Sequence, residues 1–155
     1  MRAKRQPLIA EVGRALQAYQ RSTQAFDDEV GRVLGLNPTD LRCLDWLTEG
    51  PMTATRLAEA TGLSAAATTS LIDRLERKGF VRRRRNDGDR RQVLVELTER
   101  GLERVGALYG PLVADGVPIL EGFTLDELVV MREQLIAMRD LTDRHRARLR
   151  SMDVD

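Results

Sequence analysis

Between residues 53 and 97 the chain carries an order of local signals that few folds can satisfy. Thr53 precedes one short helix-forming stretch, 54–61, whose Leu57 and Ala58 mark its inner side. Gly62 turns the chain. Ser64 precedes a second stretch, 65–78, closed by Gly79. Thr and Ser at these points can accept a bond from a backbone N–H at a helix start. Residues 80–85 then read as a strand. Asn86-Asp87-Gly88-Asp89 reads as a hairpin turn with Asp-Gly at its centre, and Val93, Val95 and Leu97 alternate in a returning strand. Two helices at a tight turn followed by a basic hairpin predict a helix-turn-helix with a β wing.

The flanks read as helices. Leu8, Val12, Leu16, Tyr19, Phe26, Val30 and Val33 recur at helical spacing over 7–34, and Gly35 ends the run. Asn37, Pro38 and Asp40 form a strong start signal for the next helix, which Gly50-Pro51 stops. Thr98-Glu99 begins a fifth helix, interrupted by Gly106, Gly110, Pro111, Gly116 and Pro118, with a kink expected at Pro111. Thr124 caps a last helix to about residue 150. In it Leu128, Met131, Leu135, Met138 and Thr142 repeat as a heptad-like seam. Aromatic residues are 4% of the chain, so the core is aliphatic and suits packed helices. The predicted fold class is mainly α with a small β-hairpin wing. One domain, 1–155, contains a winged helix-turn-helix lobe at 37–101. It is flanked by N- and C-terminal dimerisation helices at 7–34 and 102–150. The dimerisation candidates are Leu8, Val12, Leu128, Met131, Leu135 and Met138.

A formal net charge of +1 does not by itself point to a polyanion, but its distribution does. Residues 54–91 hold ten basic and five acidic side chains, a net of +5, which leaves −4 for the rest. A basic centre between acidic flanks predicts double-stranded DNA as partner. On a helical wheel Thr68, Leu71, Ile72 and Leu75 fall on one side of the second helix, and Ala66, Thr69, Ser70, Asp73 and Arg77 fall opposite. Small outward residues let a helix enter the major groove, hydroxyls can bond base edges or phosphates, and Ala or Thr methyls can meet thymine methyls. The candidate set on this helix is Ser64, Ala65, Ala66, Thr68, Thr69, Ser70 and Arg74. Thr68 is counted in it although the wheel places it with the leucines; Arg74 either contacts phosphate or braces Asp73. The wing set is Arg82, Arg83, Arg84, Arg85, Asp89, Arg90 and Arg91. Six guanidiniums at a hairpin suit a narrow minor groove, and Asp89 is expected to hold the Arg91 side chain in a bidentate pair.

Thr61-Gly62-Leu63-Ser64 opens the second helix, and Leu71-Ile72-Asp73-Arg74-Leu75-Glu76-Arg77-Lys78-Gly79-Phe80-Val81 closes it. Asp89-Arg90-Arg91 and Val95-Glu96-Leu97-Thr98-Glu99-Arg100-Gly101 complete the wing. In these strings the chain resembles the MarR family (multiple antibiotic resistance regulators), most specifically over 37–101. The resemblance implies a homodimer with two winged lobes on a helical dimerisation region. It further implies a palindromic operator and a repressor released by a small ligand or an oxidant, with a small aromatic or phenolic molecule as the ligand class. The family's Asp-x-Arg wing pattern falls on Asp89 and Arg91. The Gly- and Pro-rich fifth helix departs from the family's pattern.

No Ser-His-Asp set, phosphate loop or ligand-spaced metal cluster is visible, so no enzyme, cofactor or metal is expected. The alternative to a sequence-specific regulator is an architectural protein that binds DNA without sequence choice. Cys43 could sense oxidants, but the family's oxidant-sensing branch places its reactive Cys in the first helix. Among Leu41, Leu44 and Leu47, Cys43 reads as a small core hydrophobe. His145 stands among arginines with no second ligand, and Trp46 packs in the core rather than lining, with Tyr19, an aromatic-ligand pocket. One cysteine, a polar N-terminus and no membrane-length apolar run predict a cytoplasmic protein with no membrane partner.

Overall fold

The computed structural model describes residues 2–86, 88–89 and 91–152. The elements in chain order are α1 (Arg2–Leu34), α2 (Pro38–Thr48), β1 (Met52–Thr53), α3 (Ala54–Thr61), α4 (Ala65–Arg77), β2 (Val81–Arg85), β3 (Val93–Leu97), α5 (Glu99–Glu121) and α6 (Leu125–Arg150). Packing divides the chain into two compact units, Met1–Leu108 and Tyr109–Asp155. Mainly helical structure with a small antiparallel sheet agrees with the predicted fold class.

Helix starts are set locally. Asn37 accepts from the Asp40 N–H at 2.8 Å while the Asp40 carboxylate accepts from the Asn37 N–H at 3.1 Å, a reciprocal box that satisfies two otherwise unpaired donors. Thr53 caps α3, Ser64 caps α4, and Thr124 with Glu127 forms a second box at α6. Gly62, at φ +76°, closes α3 in the left-handed region that an L side chain resists. This tight reversal sets α4 against α3.

Leu44, Leu57, Ile72, Leu75, Phe80, Val81 and Val95 are all at most 2% exposed and form the core of the first unit. The apolar side of α4 thus packs onto α3 and β2, and its other side faces out. The sheet order is β1-β3-β2, with Val81 opposite Leu97 and Arg85 opposite Val93. Thr98 joins the wing to α5: its N–H donates to the Phe80 carbonyl at 2.9 Å, its hydroxyl donates to the Gly79 carbonyl at 2.7 Å, and it accepts from the Gly101 N–H at 2.9 Å.

Four expectations are corrected. The first helix continues back through Pro7 to Arg2. A third strand, β1, pairs Met52 with Val95 and Thr53 with Leu94. The fifth helix is not interrupted: α5 runs unbroken over 23 residues with Pro111 and Pro118 inside it. Each proline removes a single donor, and the turns on either side remain bonded. Finally, the strands stop at Arg85 and Val93, so the wing loop is wider than a tight turn. Its neck is closed by the Asn86 N–H on the Gln92 carbonyl at 3.0 Å. Asp87, half of the expected Asp-Gly centre, lies outside the described residues.

Candidate nucleic-acid interface

Ser64, Ala65, Ala66, Thr69 and Ser70 are exposed along the N-terminal half of α4. Two of their hydroxyls are oriented by the backbone: Ser64 Oγ accepts from the Ala67 N–H at 3.2 Å, and Thr69 Oγ1 donates to the Ala65 carbonyl at 3.0 Å. The Thr69 hydroxyl proton is therefore used within the helix. The result is a small, nearly neutral face at a helix N-terminus, where backbone N–H groups give a partial positive charge.

Two residues of the expected helix set do not belong to that face. Thr68 is 1% exposed and its hydroxyl donates to the Ser64 carbonyl at 2.9 Å, so it has no surface to offer a base or phosphate. Arg74 reaches across to Asp40 of α2 and not to Asp73, with 34% of its side chain left exposed. Its Nη2 and Nε donate to Asp40 Oδ1 at 2.5 and 3.1 Å. That bond raises the guanidinium above its ordinary pKa.

The wing arginines divide by strand alternation. Arg82 and Arg84 share a face with Glu96 of β3, which lies opposite Arg82 in the register. Glu96 accepts from Arg84 Nε at 2.5 Å and from Arg82 Nε at 2.7 Å. These two bonds, Arg84's first, hold the Glu96 carboxyl below its usual range. Arg83 points the other way, to α4, where it reaches Glu76 at 2.5 Å and Asp73 at 2.6 Å. It straps the wing to the helix beside it. The expectation of six open guanidiniums is thus corrected: three are matched to carboxylates brought in by β3 and α4. Arg85 and Arg91 are exposed, whereas Arg90 lies outside the described residues. Asp89 is bonded differently from expectation. Its Oδ1 accepts from the main-chain N–H of Arg91 at 3.0 Å, which shapes the loop, and no ion pair joins its carboxylate to the Arg91 guanidinium.

Glu76 and Glu96 are the residues that sequence reasoning passed over, and Asp40 was read only as part of a helix start and not as the partner of Arg74. Glu96 had a signal, since an acid opposite a run of arginines in antiparallel register is placed to pair with them.

The other flagged residues are placed plainly. Cys43 is fully buried, and burial, assisted by the Asp40 charge, pushes its thiol up to about 12. Trp46 is half-buried, Tyr19 and His145 are exposed. Among the described residues no cluster of potential metal ligands occurs, and no helix is long and apolar enough to cross a membrane.

A capped helix pair, an outward face on the second helix and a paired arginine hairpin beside it define a winged helix-turn-helix DNA-binding protein. The chain belongs to the MarR family: a model of that family matches residues 34–92. The HTH-type transcriptional regulator YcgE of Bacillus subtilis is 34% identical over 140 residues, covering 88% of this chain and 91% of that protein. The HTH-type transcriptional repressor NicR of Pseudomonas putida is 33% identical over 104 residues, 63% of each chain. Among solved structures, a MarR family protein from Bacillus stearothermophilus superposes with a TM-score of 0.66 at 26% identity, over 89% of this chain and 97% of that one. The protein is a DNA-binding transcriptional regulator, as the names of these relatives also say of them.

Proposed function

We propose that the protein is a homodimeric repressor that binds a palindromic operator and is released by a small-molecule effector, an aromatic or phenolic compound being the class to try first. The observation that carries the DNA-binding part is the outward face of α4 beside the wing. Ala65, Ala66, Thr69 and Ser70 are small enough to approach base edges in the major groove, while Arg85 and Arg91 reach from the hairpin toward the adjacent minor groove and its phosphates. Dimerisation rests on apolar surface that each unit leaves open. Leu8 and Val12 of α1 are 59% and 52% exposed, and Leu135 and Met138 of α6 are 56% and 44% exposed; such surface marks an interaction site. Leu128 and Met131 extend the α6 seam and are half-buried. Repression is supported by the name of the Pseudomonas putida relative.

Two-fold protein symmetry requires two-fold DNA symmetry, with half-site centres about 10 bp apart or a multiple of that. The test is selection of genomic fragments retained by the protein, followed by sequencing and footprinting, with sedimentation at micromolar concentration. A palindrome protected by a dimer is expected. A stable monomer, or a short asymmetric footprint, overturns the dimeric reading. Equal affinity for scrambled duplex at moderate salt would identify an architectural protein instead. Screening aromatic acids and phenols for release of the bound operator tests the effector.

A further inference from the structure

Asp40 and Arg74 are 34 residues apart in sequence, and the interface described above does not use their bond. Asp40 is 1% exposed. Its carboxylate receives the Asn37 N–H on one side and the Arg74 fork on the other. Four residues after Arg74, at the C-cap of α4, the Lys78 ammonium donates to the Gly35 carbonyl. Two cationic side chains therefore fasten the C-terminal half of α4 to the corner between α1 and α2. The other buried side chains of α4 are Thr68, whose hydroxyl is spent within the helix, and the aliphatic Leu71, Ile72 and Leu75, none more than 2% exposed. The other ion pairs of α4, from Asp73 and Glu76 to Arg83, run to the wing and not to α2. Aliphatic packing is non-directional and allows a helix to roll. A guanidinium held on a carboxylate has a fixed plane, so the Asp40–Arg74 bond sets the roll of α4 against α2, while the Arg83 strap sets the wing against α4. The roll decides which of Ala65, Ala66, Thr69 and Ser70 meets the base edges.

We propose that Arg74, held by Asp40, is a positioning residue for sequence choice: it fixes the roll of the recognition helix and does not itself touch DNA. The proposal rests on the reading of α4 as the recognition helix. Binding of the selected operator and of a scrambled duplex is measured at matched salt, by anisotropy, for three proteins: the natural protein, Arg74→Lys, and the apolar pair Asp40→Leu with Arg74→Met. Arg74→Lys keeps the charge and loses the fork. The apolar pair removes both charges, and replacements of that kind commonly preserve folding. Both variants are expected to keep the circular dichroism of the natural protein and its affinity for the scrambled duplex within about twofold. Their preference for the operator should fall about tenfold, as for the loss of one aligned base contact. Rescue of stability without rescue of preference in the apolar pair is the signature of positioning. Full operator preference in the folded variants overturns the proposal. So does equal loss on both duplexes with a salt slope reduced by about one unit, the mark of a phosphate contact, and so does unfolding of both variants. If the natural protein shows no preference, it is the sequence-specific reading of α4 that fails.

Discussion

Gly101 lies against the main chain of Phe80 so closely that a Cβ on it would stand 2.4 Å from the Phe80 carbonyl oxygen and 3.0 Å from its carbonyl carbon. Both neighbouring atoms are backbone and cannot swing aside. This approach lets the first turn of α5 seat on the end of the wing, where Thr98 bonds the same carbonyl. Gly101→Ala should therefore destabilise by about 1–3 kcal/mol, the usual range for overpacking. Gly106, in the same helix, meets nothing within 4 Å; Gly106→Ala should be neutral or stabilise by about 0.5 kcal/mol through helix propensity. Urea unfolding of the two variants checks the contrast, and equal effects would show that the close approach is not the cause.

The Asp40–Arg74 pair should respond unequally to removal of its two members. Arg74→Ala strands a carboxylate that is 1% exposed, with one backbone donor left. Asp40→Ala strands a guanidinium that is 34% exposed and can turn to water. Breaking a buried pair costs about 3–5 kcal/mol when the remaining charge has no escape. Arg74→Ala should approach the lower end of that range, and Asp40→Ala should cost clearly less. Denaturant midpoints at pH 7 decide it, and a larger loss in Asp40→Ala would contradict the argument.

Cys43 should be unreactive in the folded state. Its thiol ionises at about 12 rather than at the ordinary 9.0, because the anion is penalised by burial and by Asp40. Iodoacetamide at pH 8 should leave it unmodified in buffer and modify it fully in denaturant, as mass spectrometry would show. The sign of the pH dependence follows. Above pH 9.0 the unfolded chain loses the thiol proton while the folded chain keeps it up to about 12, so stability contributed by the neutral thiol is present below 9 and falls through that window. Cys43→Ala should lose that component of the alkaline decline.

On the wing, Arg85 and Arg91 are exposed, and each replaced by Ala should weaken binding to all duplexes and lower the salt slope by about one unit. Asp89 holds the Arg91 main chain through an accepted bond. Asp89→Asn retains an acceptor and should keep operator affinity. Asp89→Ala should bind the operator less tightly, although it adds positive charge, because the loop must be ordered on contact. Tighter binding by Asp89→Ala at matched salt would mean that net charge outweighs loop shape.

Ala66 is exposed in the second position of α4. Ala66→Leu adds bulk where close approach to base edges is proposed, without touching the core. It should reduce operator affinity about tenfold or more while leaving thermal unfolding within a degree or two of the natural protein. Unchanged operator preference would transfer base reading to another surface.

Much of this molecule was legible in the chain because the responsible interactions are local. A cap joins a side chain to an N–H three residues on, so Asn37, Thr53, Ser64 and Thr124 marked four helix starts that the structure contains. The spacing of Leu71, Ile72 and Leu75 likewise marked the buried side of α4. Thr68 was visible on that side too, and its hydroxyl misleads only if residue type is allowed to outweigh position. Tertiary structure alone decided which charges meet. Arg74 reaches Asp40 across 34 residues and Arg82 reaches Glu96 across 14, and such pairs exist only once strands align and helices dock. An arginine's residue type reports a charge but not its partner, so a run of four reads as open when three are engaged. Strand β1 is two residues long, too short for any alternation, and forms because the edge of β3 offers bonding groups to Met52 and Thr53. Local propensity also misjudged α5, where Pro111 and Pro118 each forfeit one bond within a 23-residue helix. Propensity weighs residues one at a time, whereas a long helix is held by the bonded turns on both sides of each break.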